Sequence, residues 1–269
     1  MSTSRKPDIF IAGSPRSGTT ILNQFLCKSA HTNPMMGEAQ HFFNLIQAYN
    51  SALGQFDYKT RYYFTKDELF QYHKKLADDY LNRIRSKFSN NVRLVLKCPG
   101  YSKQFPYVLK LIPHSQFVMI IRDPLDIVAS QVAVGETQRA TSKKCEYPRE
   151  HIQHIAHRVN LNYSPILNNK KIFGDKLHII KYEKFVSEKS SLKRLSEFLQ
   201  LPDLVERSQI DNKEITDFVH DKSHATYSQF WDQNLTTSSV GRYKNYLTPQ
   251  EIEIVKNTTK NLRQMFHYD

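Results

Sequence analysis

The sequence predicts an α/β fold: a central, mainly parallel sheet flanked by helices on both faces, with a ligand site along the carboxyl ends of its strands. Three observations lead there. Short apolar runs at residues 8–12, 92–96, 116–122 and 177–181 are separated by stretches with the spacing of amphipathic helices. The run at 116–122, Gln-Phe-Val-Met-Ile-Ile-Arg, is almost continuously apolar, as a parallel strand buried on both faces is. The first run breaks into a small-residue loop, Gly-Ser-Pro-Arg-Ser-Gly at 13–18, and reopens as a helix. No internal repeat or linker divides the chain, so residues 1–269 are expected to act as one domain.

In chain order, the loop at 13–20 comes first. Gly13 and Gly18 permit tight backbone, and Ile21, Leu22, Phe25 and Leu26 give the following helix its apolar face. Such a loop aims backbone N–H groups and the positive end of a helix dipole at one point, where an anion belongs. The spacing Gly13-x-x-x-x-Gly18 is that of a Walker A loop, yet Thr19 and Thr20 stand where a nucleotide hydrolase carries Lys and then Ser or Thr. Arg16 supplies a forked cation instead, and Thr19 and Thr20 add hydroxyl donors. A transferred γ-phosphoryl group normally needs metal to neutralise its charge. A sulfuryl group carries one negative charge fewer, so the loop leans toward sulfuryl transfer without bound magnesium.

Downstream of Ser-Pro-Arg-Ser-Gly-Thr-Thr at 14–20, the chain carries Glu38 and, at 121–130, Ile-Arg-Asp-Pro-Leu-Asp-Ile-Val-Ala-Ser. The combination resembles the sulfotransferase family that uses 3′-phosphoadenosine 5′-phosphosulfate (PAPS) and releases 3′-phosphoadenosine 5′-phosphate (PAP). The resemblance implies a P-loop NTPase-like three-layer sandwich, PAPS as cosubstrate and no required metal. It also places Ser14, Arg16, Ser17, Gly18, Thr19 and Thr20 at the 5′-phosphosulfate. Many members carry Lys where this chain has Arg16.

Residues 31–37 read as a loop leading into Glu-Ala-Gln-His-Phe-Phe-Asn at 38–44. This stretch resembles the Lys-Glu-x-His-Phe-Phe segment of glycan sulfotransferases, with Gly37 in place of the lysine and one residue inserted before His41. The resemblance makes Glu38 the candidate base, with His41 in reserve. Read without it, Glu38 is a helix N-terminal carboxylate and His41 a surface or packing histidine. Residues 49–64 show no clear period and are expected to be a loop or irregular helix. Residues 66–88 are expected to form an amphipathic helix, with Leu69, Phe70, His73, Leu76, Tyr80, Leu81 and Ile84 on its apolar face and Asp67 favouring its start.

The strand at 92–96 runs into Lys-Cys-Pro-Gly-Tyr at 97–101, at a strand's carboxyl end. Glycan sulfotransferases carry a comparable Lys-x-Pro-x-Tyr stretch, which implies Lys97 at the bridging oxygen of the transferring group and Tyr101 against the acceptor. The bland alternative is a strand-end lysine before a Pro-Gly turn. After the strand at 116–122, Asp123 is placed to cap a helix and Pro124 to occupy its first position. Arg122 and Ser130 resemble the family's second nucleotide motif, which grips the 3′-phosphate. Residues 135–148 are polar, with Lys143 and Lys144, and are expected to be a mobile loop near the acceptor or an uncommitted surface loop.

His151, His154 and His157 lie on an expected helix at 151–167, but successive threes drift around it and no acidic or cysteine partner is evident, so zinc is not expected. The strand at 177–181 passes into Tyr-Glu-Lys-Phe, resembling the family's Tyr-Glu-Asp-Leu segment and implying Tyr182 at the adenine. Leu192, Leu195, Phe198 and Leu199 mark another helix. Residues 203–234, which include Trp231, have weaker periodicity and no assigned mechanism. Ser-Ser-Val-Gly-Arg-Tyr-Lys-Asn at 238–245 resembles the Gly-Arg loop that folds over the 3′-phosphate, with Arg242 as anion contact and Gly241 allowing close approach. Thr248, Pro249 and Glu251 then read as cap, first-turn proline and capping-box carboxylate of a last helix.

Composition bounds the function. Thirty-eight Lys and Arg against twenty-six Asp and Glu give a formal charge of +12, which favours acidic partners without choosing among them. No apolar stretch is long enough to span a membrane, so a soluble, cytoplasmic protein is expected, although loss of an anchor would look the same. Cys27, Cys98 and Cys145 are far apart with no CxxC pair, which predicts neither a disulfide scaffold nor a zinc site. The expected reaction moves a sulfuryl group from PAPS to a hydroxyl or amine of a small-molecule acceptor, giving PAP. A glycan acceptor is the alternative within the family. Outside it stand a P-loop kinase and a non-enzymatic nucleotide-binding protein; a nucleic-acid partner is not expected.

Overall fold

The computed structural model describes residues 6–88, 92–207 and 235–268. Trp231 and most of the stretch at 203–234 lie outside them. Four strands, β1 (Asp8–Ala12), β2 (Val95–Lys97), β3 (Ser115–Ile121) and β4 (Leu177–Lys181), form one sheet in the order β2-β1-β3-β4. Every pairing is parallel: Phe10 stands opposite Leu96 and Phe117, and Met119 opposite Ile179. β1 leads to β2 on one side and β3 leads to β4 on the other, so the connections diverge between β1 and β3. That is the switch point where open α/β sheets bind ligands.

The helices are α1 (Thr19–Leu26), α2 (Gln40–Gly54), α3 (Lys66–Arg85), α4 (Phe105–Leu111), α5 (Pro124–Ala140), α6 (Ile152–Asn168), α7 (Lys170–Phe173), α8 (Tyr182–Ser187), α9 (Lys189–Leu199), α10 (Leu204–Arg207), α11 (Pro249–Thr258) and α12 (Lys260–Met265). Alternate strand residues face opposite ways. Phe10, Leu96, Phe117 and Met119 join one cluster with Phe42 and Ile46 of α2, Leu81 of α3, Val108 of α4, Val128 of α5 and Val159 of α6. Ile9, Ile11, Val118 and Ile120 join another with Leu22 and Phe25 of α1, Phe185 of α8 and Leu195 of α9. Both sheet faces are therefore covered, giving the three-layer α/β sandwich that the apolar runs require.

Local signals account for most boundaries. Gly18 precedes α1 with φ +100°, a conformation glycine adopts without penalty. Asp123 accepts a hydrogen bond from the Leu125 N–H at 3.0 Å, with Pro124 in the first turn of α5. Thr248 and Glu251 form the expected capping box of α11. Thr65 and Glu68 form one at α3, so that helix starts on a box rather than on Asp67 alone. Arg85 at its far end is paired with Asp8 of β1 at 2.7 Å, both side chains being buried.

Three expectations are corrected. α2 continues through residues 49–54 because Tyr49 is buried with Phe42 and Ile46 as one helical stripe. The second strand is displaced to Val95–Lys97, which puts Lys97 in the ladder itself. α5 continues through Gly135 to Ala140, and the next residues fold back on it: the Lys143 N–H bonds the Gln138 carbonyl and the Glu146 N–H the Gln138 side chain, both at 2.8 Å. Part of 135–148 is thus helix, and part is pinned to that helix.

Candidate active site

The carboxyl ends of β1, β2 and β3 bring the candidate groups together. The loop after β1 is tied down through its carbonyls: Gln131 of α5 donates to the Pro15 carbonyl at 2.9 Å, and Arg122 donates to that of Arg16 at 3.1 Å. Since N–H and C=O of a trans peptide point oppositely, pinning the Pro15 carbonyl turns the Arg16 N–H the other way. The Ser17 N–H closes a turn on the Ser14 carbonyl at 3.0 Å. Ser14 Oγ accepts from Asn162 of α6 at 3.1 Å. Thr19 and Thr20 open α1, whose first N–H groups lack intrahelical acceptors.

Arg16 holds a left-handed conformation, φ +72°, although it is not glycine. Its Nε donates to Ser130 Oγ at 3.1 Å, so the candidate 5′ cation already touches the candidate 3′-phosphate serine. Burial pushes the Arg16 guanidinium below its ordinary value; Tyr147 opposes this, while the nearby Arg122 and Arg242 charges reinforce it. Among the described residues Arg16 has no carboxylate partner. Arg16, Arg122 and Arg242 thus lie within electrostatic reach of one another, and among the described residues only Arg122 of the three is paired with a carboxylate, Asp126.

Arg122, just past β3, is nearly buried. It donates to the carbonyls of Arg16 and Ser239, pairs with Asp126 at 3.7 Å and stacks over the Tyr182 ring at 4.5 Å. Its Nε is buried without a hydrogen-bond partner, a donor in need of an acceptor. Tyr182 is itself buried, its ring packed so close beneath Gly18 that a Cβ there would stand 2.5 Å from it. Its structural place is as a support between the loop and Arg122. Asp126 accepts from the N–H groups of Gly241 at 2.8 Å and Tyr243 at 3.0 Å, which seats the Gly-Arg loop on α5. Gly241 is needed for its φ of +73° rather than for a close approach, since a Cβ there would meet nothing within 4 Å. Arg242 is exposed at the mouth.

On the other side, buried Lys97 donates to Glu38 Oε1 at 2.7 Å and to Thr20 Oγ1 at 3.3 Å. Glu38 precedes α2 and is about half exposed, at 47% of its side chain. The pair joins β2, the approach to α2 and the start of α1. His41 is not drawn into it: its ring stacks on Tyr80 of α3 at 5.3 Å. Tyr101 is buried in the core, its hydroxyl on the Ala39 carbonyl at 3.3 Å.

Sequence reasoning missed Asp126, Gln131, Tyr147, Arg149 and Asn162. Asp126 left a signal, an acid one helical turn after Arg122 on an otherwise apolar stretch. Arg149 left none, because its partners are remote: it grips both carboxylate oxygens of Glu251 at 2.7 and 2.9 Å, Glu136 at 2.8 Å and the Tyr246 carbonyl at 2.7 Å. Tyr246 returns its hydroxyl to Glu136. This clasp fastens the Gly-Arg loop to α5 and α11. The Arg149 contact holds the Glu251 carboxyl down at about 2, against an ordinary 4.5. A depressed folded-state value contributes stability above about pH 4.5 that is lost as pH falls toward 2. Glu251→Gln is therefore expected to lower Tm at neutral pH and flatten its decline over that acid window. A Tm-against-pH curve parallel to wild type would count against the clasp.

A parallel sheet whose switch point opens on a lysine-free glycine-bounded loop beside Arg16 and Arg122 is a P-loop-like α/β fold. The description "Sulfotransferase family" belongs to the family profile that matches residues 7–206, and the chain belongs to that family. Solved structures share the fold: a sulfotransferase domain from the curacin biosynthetic pathway (TM-score 0.60, 19% identity, 96% of this chain and 98% of that one) and a sulfotransferase from Alicyclobacillus acidocaldarius (0.55, 14%, 98% and 97%). An uncharacterized protein of Aquifex aeolicus (strain VF5) is 22% identical over 204 residues, 74% of this chain. The chain spans only 26% of that relative's length. No helix among the described residues is long and apolar enough to cross a membrane.

Proposed function

We propose that residues 1–269 act as one sulfotransferase domain that moves a sulfuryl group from PAPS to a hydroxyl or amine of a small-molecule acceptor, leaving PAP. One observation carries the reading: Arg122 contacts the Arg16 backbone, Arg242 lies within electrostatic reach, and among the described residues Arg16 has no carboxylate of its own. The donor set fits a nucleotide with anionic groups at both ends. Arg16, Ser14, Ser17, Gly18, Thr19 and Thr20 would hold its 5′ side, and Arg122, Ser130, Gly241 and Arg242 its 3′-phosphate, with the unpartnered Nε of Arg122 as a waiting donor. Bound there, PAPS supplies an electrophilic sulfuryl group on a phosphate leaving group.

The remaining chemistry belongs to the chain. Glu38 takes the proton from the attacking acceptor atom, because its carboxylate is exposed toward solvent while Lys97 fixes its other side. Lys97, Arg16 and the loop N–H groups are preorganised donors for charge developing on the leaving side. Donors of this kind take the place of a metal, which separates the reading from a P-loop kinase.

PAP should raise Tm by the mass-action amount, about 2.7 kcal/mol of stabilisation at a hundred times its Kd, and more than Mg-ATP or short oligonucleotides at equal concentration. PAPS turnover should persist in EDTA. A larger shift with Mg-ATP would favour a kinase, and one with oligonucleotides a binding protein; either would sink the reading.

A further inference from the structure

The face of α6 next to the phosphate loop carries a cation that the proposed reaction leaves unused. Asn162 reaches Ser14 of that loop, and Arg158 lies one turn earlier on the same face, about 6 Å along the axis at 1.5 Å per residue. Arg158 is exposed, and its guanidinium stands over the Tyr147 ring at 5.4 Å from the centroid. Unlike Arg139, Arg149 and Arg263, it has no carboxylate partner among the described residues. His154, four residues before Arg158, continues this face outward, a spacing that His157 does not share.

Tyr147 links this cation to the reacting groups. It is buried, and its backbone is pressed onto α5 so tightly that a Cβ at Gly135 would stand 2.2 Å from the Tyr147 carbonyl. Burial is the main cause that raises its phenol above the ordinary value. Glu146 and Glu38 push the same way, and Arg158 and Arg16 oppose them. One ring therefore packs against Arg158 and lies within electrostatic reach of Glu38 and Arg16, while Asn162, one turn from Arg158, reaches the loop itself. An arginine stacked on an immobile aromatic face is preorganised, with its hydrogen-bonding edges free to take an oxyanion in a forked contact.

We propose that the acceptor carries an anionic oxyacid group, a carboxylate, phosphate or sulfate, which Arg158 holds over Tyr147 while the acceptor's hydroxyl or amine lies toward Glu38. This rests on the sulfotransferase reading and narrows its substrate to acidic acceptors. It also gives the chain's formal charge of +12 a use beyond the nucleotide.

The test separates the two levels. Protein saturated with PAP, which fills the nucleotide's own anion sites, is titrated calorimetrically with 4-hydroxyphenylacetate and with its uncharged amide. Wild type is expected to bind the carboxylate at least about tenfold more tightly, a difference of about 1.4 kcal/mol. Arg158→Met should erase the preference, and Arg158→Lys should restore part of it, because charge is kept and the fork is lost. Equal affinity in wild type, no carboxylate binding up to about 10 mM, or a preference that survives in Arg158→Met would each overturn the proposal. Failure of PAP itself to bind would remove the sulfotransferase reading and this inference with it. PAP binding without charge preference removes the inference alone.

Discussion

Glu38→Gln is expected to lower kcat by about 10²- to 10⁴-fold, the usual contribution of a positioned general base, provided chemistry limits the rate. The structure makes this a clean substitution. Lys97 is buried and donates to Glu38 Oε1 at 2.7 Å, and a glutamine oxygen can still accept that bond. The lysine keeps its hydrogen-bond acceptor though not its counter-charge, so Tm should fall less than in Glu38→Ala and the protein should still bind PAP while proton acceptance is lost. Both variants remove the counter-charge of the buried ammonium, but Glu38→Ala also removes the acceptor and so would confuse the result further. Single-turnover rates with PAPS and acceptor in excess give the comparison. Nearly full activity in Glu38→Gln would move the base elsewhere, first to His41, whose stacking on Tyr80 would then have to loosen.

Arg122→Ala should weaken PAP binding by at least about thirtyfold, since truncating a buried charged donor typically costs 2–5 kcal/mol. The sequence alone suggests a loss of affinity without loss of fold. The structure predicts both. Arg122 also pins the carbonyls of Arg16 and Ser239 and faces Asp126, which is buried and holds the Gly-Arg loop. Removing the arginine leaves that carboxylate without a charge partner, so Tm should fall as well. Calorimetry on the folded protein at reduced temperature separates the effects, and Arg122→Lys should fall between alanine and wild type. Unchanged PAP affinity in folded Arg122→Ala would refute its place at the 3′-phosphate.

The part of the site legible in sequence is the part built from local rules. The loop at 13–20 announces itself because a strand, a small-residue turn and a helix start follow one another directly, and Asp123-Pro124 marks a helix start by cap chemistry. Residues 49–54 and 135–140 are less legible for a matching reason. Their helical burial depends on what packs against them, Tyr49 against the sheet-side cluster and Gly135 against the Tyr147 backbone. Polar composition without period looks like a loop when the covering element is unknown.

By itself, then, the sequence determined the alternation of strands and helices and the glycine-bounded loop without its lysine, and offered Arg16, Glu38, Lys97, Arg122 and Arg242 as candidates. The alternation and the loop follow from period and the chemistry of residue types over short spans, whereas Glu38, Lys97, Arg122 and Arg242 are candidates through the resemblance of their motifs to the family. Only the tertiary structure decided that Arg16 would reach Ser130, that Asp126 would seat the Gly-Arg loop, that Arg149 would clasp Glu251, and that Arg158 would stand over Tyr147. Those contacts join residues about ten to more than a hundred positions apart, and the desolvation that holds Arg16 below its ordinary value exists only after both sheet faces have closed. Local propensity carries no trace of such pairings, because their free energy comes from water excluded and charges desolvated when distant elements meet.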